Sequence, residues 1–370
     1  MNIGIIAATP LQVLNIINLC TYEFDFCDDQ VDLFFQDSYC KAKKILEQLI
    51  AVIPFENVYS FDGKGEEGVK EKKEAFWSTL FPDYYLKKHL RVYKRGKETK
   101  NYQLFLTSFY TVTTVSLLLC NPGCKHILYE DGCGSYRENG IKTDFKNRKR
   151  VAAFFGKRFP EIFPLKMYLN NPTYFQGKSD FEIQGINNLW LSDIKQKEKI
   201  YKVFSYQGDN KYTKVRIVYL SQPDLSLTYG KIKKKVEHEL VGLEDSCVIR
   251  CHPLEDIENG YKGFKIDRGD NLWELICLDI ITDNHILVGD FSTAHIMPKI
   301  IFDKEPWLVF TVKKYLEHYG EETVKSIIEY ICFIKKKYRK PEKVIIVEND
   351  DELASIITRI TRDDLLNNHK

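Results

Sequence analysis

The sequence lacks the features that mark several large classes of protein. Its 370 residues carry 54 lysines and arginines against 52 acids, unlike the strongly basic composition of dedicated nucleic-acid binders. No apolar run reaches the ~18–20 residues of a membrane span, and the first residues have neither the basic leader nor the apolar core of a signal peptide. We therefore expect a cytoplasmic protein without a nucleic-acid partner, soluble or attached to the inner face of the cell membrane.

Cysteine patterns typical of metal sites and disulfide frameworks are also missing. The 10 cysteines include no Cys-x-x-Cys pair, and no His/Cys cluster has the spacing of a zinc site. Most of them lie in apolar segments of a long chain, which predicts buried thiols that stay reduced. Neither a structural zinc ion nor a set of disulfides is expected to stabilise the fold.

The order of the predicted elements indicates two α/β halves. Strands and helices alternate from residue 3 to residue 61, which predicts a parallel sheet, and a second alternation starts at Val215. We predict an α/β fold of two Rossmann-like domains facing across a cleft. The predicted boundaries are 1–185 for the first domain, 186–213 for a linker and 214–370 for the second domain.

Some single segments carry predictions of their own. Thr9 followed by Pro10 predicts a helix start, with threonine as N-cap and proline at the first helical position. Residues 69–93 are predicted as one charged helical stretch. Two short apolar runs, 279–282 and 299–302, are interpreted as strands.

Two adjacent carboxylates follow a buried-type strand in the first half. Glu130 and Asp131 come directly after the predicted strand, and Gly132 and Gly134 then permit a sharp turn with positive φ. A carboxylate at the end of a parallel strand lies where open α/β sheets place their ligands. The alternative interpretation is a solvated loop with two surface acids.

Two polar strand ends occur in the second half. A predicted strand ends at His252-Pro253, and Ser292-Thr293 begin a helix after another strand. A helix N-terminus binds phosphate because its free amides and its dipole both favour an anion, and histidine titrates near neutral pH. A core histidine and an ordinary helix cap are the simpler alternatives.

Taken together, these groups suit the transfer of a group from a nucleotide donor to an alcohol. A phosphate held at Ser292 and Thr293 beside His252 can depart, because hydrogen bonds there stabilise the charge that grows on it. Across the predicted cleft, Asp131 would take the proton from the attacking hydroxyl.

At these residues the chain resembles bacterial sialyltransferases, most closely glycosyltransferase family 52. The turn at Ser221-Gln222-Pro223 also resembles the start of the second domain in that family. The resemblance rests on four stretches in this order: Thr9-Pro10-Leu11-Gln12, Tyr129-Glu130-Asp131-Gly132, Val248-Ile249-Arg250-Cys251-His252-Pro253 and Phe291-Ser292-Thr293-Ala294.

The resemblance implies a GT-B-like fold and an inverting sialyltransferase. The first domain would lie on the acceptor side, and the second would bind the donor, CMP-sialic acid. The acceptor would be a galactose-terminated surface glycan of capsule or lipooligosaccharide type. No metal cofactor is expected, since the sequence has no Asp-x-Asp triplet of the kind that holds Mg²⁺ on a donor diphosphate.

The resemblance also implies roles for single residues. Asp131 would be the general base, and His252 would stabilise the leaving phosphate that Ser292 and Thr293 hold. The other residues placed at the donor are Pro253, Gln12, Thr9 and Gly132, with Glu130 and Gln222 as further candidates.

Two other functions remain compatible with the sequence. One is another nucleotide-dependent glycosyl- or glycerophosphate transferase on the same fold, and the other is a non-catalytic scaffold in envelope glycan assembly.

The resemblance also suggests a homodimer. Two basic stretches suggest peripheral membrane contact, although a solvated surface is the simpler alternative. The basic residues of 142–158 are Lys142, Lys146, Arg148, Lys149, Arg150, Lys157 and Arg158, and those of 335–343 are Lys335, Lys336, Lys337, Arg339, Lys340 and Lys343.

Overall fold

The chain divides into two compact units, Met1–Tyr206 and Gln207–Lys370. The computed structural model describes residues 1–24, 29–37, 39, 41–62, 68–96, 101–137, 145–209, 211–222, 234, 238–252, 255, 261, 263–348 and 352–367.

The first unit is built on an eight-stranded sheet. Its strands are β1 (Asn2–Ala7), β2 (Gln30–Gln36), β3 (Val58–Phe61), β4 (Arg91–Lys94), β5 (Leu104–Thr107), β6 (Lys125–Tyr129), β7 (Lys166–Leu169) and β8 (Glu182–Gly185). They lie in the order β4-β3-β2-β1-β5-β6-β7-β8. β4 pairs antiparallel with β3, and the other pairs are parallel. The central strands are buried along nearly their whole length, as expected for a parallel sheet covered on both faces.

Seven helices accompany this sheet in the described residues. They are α1 (Pro10–Tyr22), α2 (Ala42–Val52), α3 (Gly68–Leu80), α4 (Pro82–His89), α5 (Val112–Cys120), α6 (Lys146–Phe154) and α7 (Ile194–Phe204). The predicted start of α1 is confirmed, because Thr9 is the N-cap, Pro10 is the first helical residue and Thr9 Oγ1 accepts a hydrogen bond from Gln12 N.

The second unit contains a six-stranded sheet in which every pair is parallel. Its strands are β9 (Ile217–Leu220), β10 (Cys247–Arg250), β11 (Lys265–Asp267), β12 (Ile286–Gly289), β13 (Trp307–Phe310) and β14 (Val344–Ile346). They lie in the order β11-β10-β9-β12-β13-β14. The helices are α8 (Trp273–Asp279), α9 (Thr293–Phe302), α10 (Leu316–Tyr319), α11 (Glu321–Lys337) and α12 (Leu353–Asn367).

The charged stretch at 69–93 is not one helix, contrary to the prediction. α3 ends at Leu80, and Phe81 has φ −135° and ψ 61°, outside the helical region. Proline disfavours a helical residue before it, so Pro82 ends α3 and begins α4. The last residues of the stretch form β4, whose side chains are all exposed at the edge of the sheet.

The two short strands predicted in the second half are also wrong. Asp279 is the last residue of α8, and the residues after it form no strand. Residues 299–302 belong to α9, which continues through Pro298. Proline has no N–H for the carbonyl four residues earlier, and here Trp273 Nε1 donates to the Ala294 oxygen at 2.8 Å instead. This tertiary hydrogen bond compensates for the proline, so the helix does not stop there.

The described residues show no disulfide. Cys247, Cys251 and Cys277 are buried thiols as predicted, whereas Cys332 is exposed and Cys20, Cys120, Cys124 and Cys133 are only partly buried. Within the same residues, no helix combines the length and the apolar content needed to cross a bilayer.

Candidate active site

The order of the strands marks one edge of each sheet as a place for ligands. In the first unit the chain starts at β1 and builds the sheet outward on both sides, with β2 on one side and β5 on the other. In the second unit β9 lies between β10 and β12 in the same way. Open α/β sheets bind ligands at the carboxyl ends of strands beside such a point.

In the first unit the predicted carboxylate and the start of α1 come together at this edge. Gln12 Nε2 donates a hydrogen bond to Asp131 Oδ1, and Gln12 Oε1 accepts one from Ala8 N at 2.6 Å. Asp131 N donates to Ser135 Oγ at 3.0 Å, which fixes the turn after β6. Three of the predicted residues, Thr9, Gln12 and Asp131, thus form one connected group.

Asp131 is an unusually basic carboxylate. Burial raises the pKa of its carboxyl group from 3.8 to about 6, and the hydrogen bond from Gln12 opposes this rise because it stabilises the ionised form. At neutral pH the side chain is therefore mostly ionised, yet it accepts a proton more readily than an exposed aspartate. A pKa near the working pH is what general-base catalysis needs.

Glu130 supports the turn that follows β6. Its side chain is fully buried, and its Oε2 accepts hydrogen bonds from Tyr136 OH, from Asn170 N at 2.7 Å and from Asn170 Nδ2 at 3.0 Å. The Glu130 carbonyl accepts a further bond from Asn15 Nδ2 at 3.0 Å. These contacts tie the end of β6 to the end of β7 and to α1, so Glu130 orients the backbone that presents Asp131.

Asn15, Asn170 and Ser135 are the supporting residues that sequence reasoning missed. Asn15 lies one helical turn after Gln12, a spacing that would have pointed to it on the same face of α1. Asn170 follows a strand that was not predicted. Gly132 adopts φ 135°, which confirms the positive φ predicted for the turn after Asp131. Gly134 does not have a positive φ, so the prediction was wrong for that glycine.

In the second unit the predicted residues follow three adjacent strands. Gln222 comes two residues after β9, His252 two residues after β10, and Ser292 three residues after β12. Parallel strands end at the same edge, so these side chains share one end of the sheet. Pro253 lies outside the described residues.

The approach to Ser292 depends on a glycine at the end of β12. Gly289 has φ +156°, and a Cβ atom there would lie 2.6 Å from the Leu220 carbonyl oxygen. A side chain would therefore push β12 away from β9.

Ser292 occupies the N-cap position of α9 without making the usual cap bond to the backbone. Its Oγ lies 3.1 Å from His295 Nδ1, on the first turn of the helix. Thr293 is the first helical residue. The hydroxyl of Ser292 therefore does not act as an ordinary helix cap, which was the simpler alternative interpretation of this residue.

His252 is neutral in the free protein near pH 7. Burial lowers the pKa of its imidazole, and the negative charge of Glu255 acts in the opposite direction. His252 N also donates to Glu255 Oε2 at 3.3 Å, and Tyr261 OH donates to Glu255 Oε1 at 2.8 Å. The neutral ring offers one N–H for hydrogen bonding. Glu255 is another residue that the sequence did not single out.

No group of three or more histidine, cysteine or acidic side chains that could hold a metal ion occurs among the described residues. Independence of metal thus remains a prediction.

Comparison with known proteins identifies the fold. No protein-family model matches the chain, and no curated protein matches its sequence. Among solved structures, the 2,6-sialyltransferase of Photobacterium sp. JT-ISH-224, in a complex with donor product CMP and acceptor substrate lactose, is similar with a TM-score of 0.50 and 12% identity. The similarity covers 93% of this chain and 78% of that one.

A second similar structure is the glycosyltransferase of kitacinnamycin, with a TM-score of 0.52 and 9% identity over 97% of this chain and 90% of that one. At such low identities the likeness describes architecture alone. The chain has the GT-B fold of two Rossmann-like domains.

Proposed function

We propose that this protein is a glycosyltransferase that moves a sugar from a nucleotide donor to a hydroxyl group. The observation that carries the proposal is Asp131, a carboxylate with a pKa of about 6 at the edge where open α/β sheets bind their ligands. An isolated surface acid would keep its ordinary pKa. Gln12 and Ser135 hold this one in place from two sides.

The finer proposal is an inverting sialyltransferase that uses CMP-sialic acid and a galactose-terminated glycan. The ordered motifs that resemble bacterial sialyltransferases support it, and so does the likeness in fold to an enzyme solved with CMP and lactose. CMP leaves with a single phosphate. Neutral donors and helix amides can stabilise that charge without a cation.

The proposed reaction follows from the groups on the two sheets. The acceptor oxygen attacks the anomeric carbon while its proton passes to Asp131, and the bond from that carbon to the phosphate oxygen breaks. CMP departs with the bonding electrons. The N-terminus of α9, with Ser292 and Thr293, receives the phosphate, and His252 donates an N–H to it as the charge grows.

A second candidate is a transferase for another nucleotide sugar. The similar fold of the kitacinnamycin glycosyltransferase favours it, because the GT-B architecture is not restricted to one donor. The choice between the two depends on which nucleotide the second unit binds.

One experiment with two measurements separates these functions. CMP, CDP, UDP and GDP are tested for thermal stabilisation, and CMP-sialic acid is incubated with lactose and other galactosides while released CMP and product are quantified. We expect CMP to stabilise the protein, by ~2.7 kcal/mol at a hundred times its Kd, and sialic acid to appear on a galactoside. Ser292→Ala should weaken the CMP effect, whereas Ser326→Ala, an exposed serine on α11, should not.

The outcomes discriminate between the candidates. Stabilisation by UDP or GDP alone would replace CMP-sialic acid with another donor. Stabilisation by CMP or CDP without sialyl transfer to any galactoside would favour another cytidine-dependent transferase. If no nucleotide stabilised the protein and no sugar moved, the proposal would be wrong. Recruitment to a membrane in addition would favour a non-catalytic scaffold.

A further inference from the structure

An exposed cluster of aromatic rings lies on the first unit. Phe76 and Trp77 on α3 are 5.5 Å apart between ring centroids, and Trp77 stacks on Phe81 at 6.0 Å. Phe76 also contacts Phe155 at 5.9 Å, and Phe155 contacts Phe154 at 5.1 Å. These five rings, here called the aromatic cluster, join the end of α3 to the end of α6.

The aromatic cluster is open to solvent. Phe154 is 84% exposed, and Trp77, Phe81 and Phe155 are each about half exposed. Scattered exposed apolar residues are normal on protein surfaces, but a contiguous exposed patch marks an interaction site.

The helices that carry the rings are fixed to each other by polar contacts. Arg148 Nη1 on α6 donates to Ser78 Oγ at 3.0 Å and to Thr79 Oγ1 at 3.2 Å on α3. Lys157 donates to the Leu80 carbonyl and places its ammonium 4.8 Å from the centroid of the Phe81 ring. These contacts hold α3 and the end of α6 together, so the rings keep a fixed arrangement.

The segment that carries Phe154 and Phe155 is basic. Between residues 145 and 161, the one acid is Glu161. The exposed cations of that segment, here called the basic rim, are Lys146, Lys149, Arg150, Lys157 and Arg158.

A cavity of about 630 Å³ adjoins the aromatic cluster. Leu80, Lys157 and Arg158 contribute to its wall, together with prolines from three segments. A volume of this size accommodates a small ligand, and its wall carries the carboxyl group of Glu161 beside the two cations.

We propose that the aromatic cluster and the basic rim dock the protein on an anionic membrane surface. Tryptophan and phenylalanine rings insert at the boundary between headgroups and acyl chains, while lysine and arginine reach the lipid phosphates. A second copy of the chain fits this face less well, because a symmetric contact would place one basic rim against the other. The proposal is independent of the proposed sugar transfer.

Two of the six cations in the other basic stretch of the sequence make contacts within the second unit. Lys343 is buried and donates to the Asp283 and Glu305 carbonyls, and Arg339 pairs with Glu305 and Asp303. These cations serve the packing of the second unit. Lys335, Lys336, Lys337 and Lys340 are exposed, so a membrane contact of this stretch stays a prediction.

Vesicle sedimentation of the full chain tests the proposal. Wild-type protein should bind vesicles of phosphatidylglycerol and phosphatidylcholine but not vesicles of phosphatidylcholine alone, and binding should weaken as NaCl increases. We expect Lys149→Glu/Arg150→Glu to weaken binding at least ~10-fold through lost attraction to anionic lipid. Trp77→Ser/Phe154→Ser should cause a similar loss at unchanged charge.

Matched control variants come from α7 of the same unit. Ile194→Ser and Lys199→Glu change an exposed apolar and an exposed basic residue outside the aromatic cluster, and both should bind vesicles like wild type. All altered residues are at the surface, so thermal unfolding should stay unchanged. No binding by the wild type, or equal binding by the cluster variants, would overturn the proposal. So would a change in oligomeric state of these variants without lipid, since that would identify a second copy as the occupant.

Discussion

Asp131→Asn is expected to lower kcat for sugar transfer by ~10²- to 10⁴-fold, the usual contribution of a general base. Asparagine has nearly the same shape as aspartate, and its carbonyl oxygen can still accept the hydrogen bond from Gln12. An amide cannot take up the proton of the attacking hydroxyl. The loss should therefore appear in kcat, while the stabilisation by CMP stays close to that of the wild type.

Stability measurements separate this loss from misfolding. The folded state holds the pKa of Asp131 above its ordinary 3.8, at about 6, so it binds the proton more tightly than the unfolded chain between these values. The contribution of Asp131 to the free energy of unfolding therefore decreases as the pH rises from 3.8 to about 6. Above that pH the buried charge continues to destabilise the folded state. Asparagine carries no charge, so at pH 7 to 8 the variant should be at least as stable as the wild type.

Asp37→Asn is a matched control for this variant. Asp37 directly follows β2 at the same edge of the same sheet, but no role in the transfer is proposed for it. Its replacement should leave kcat within a few-fold of wild type. Wild-type turnover in Asp131→Asn, or an equal loss in Asp37→Asn, would remove Asp131 from the mechanism.

His252→Ala is expected to lower kcat by ~10²- to 10³-fold, the effect of deleting one donor to the charge of a transition state. Burial keeps the pKa of this imidazole low, so the free enzyme at neutral pH offers an N–H and not a cation. A glutamine side chain also carries a neutral N–H donor. His252→Gln should therefore recover part of the lost rate, which a purely structural role would not explain.

The control for His252 is His238→Ala, an exposed histidine in the same unit. It should turn over at the wild-type rate. Equal turnover in His252→Ala and wild type would refute the role at the leaving phosphate. A loss that His252→Gln does not recover at all, with lowered thermal stability in both variants, would assign His252 to the fold.

The strand ends that carry the candidate site could be predicted because the residues that define each of them are adjacent in the sequence. An apolar run such as β6 followed by Glu130, Asp131 and Gly132 contains both the buried strand and the turn that ends it. The start of α1 was equally local, since Thr9 and Pro10 are adjacent.

The features that were missed depend on tertiary contacts. α9 continues through Pro298 because Trp273, distant in the sequence, donates to the carbonyl that the proline leaves without a partner in the helix. The buried support of Glu130 comes from Asn170, on a separate strand end. In the same way, Trp77 and Phe154 belong to segments far apart in the sequence, and only the packing of α3 against α6 brings their rings into one cluster.

The pH dependence of kcat/KM tests the role of Asp131 most directly, because it reports the groups of the free enzyme. The acid limb should have an apparent pKa near 6, with activity gained as Asp131 ionises. Gln12→Leu removes the hydrogen bond that stabilises the carboxylate, so the limb should move to higher pH, whereas Gln196→Leu, on α7, should leave it in place. A limb near 3.8, or one that Gln12→Leu does not move, would contradict the assignment of Asp131 as the general base.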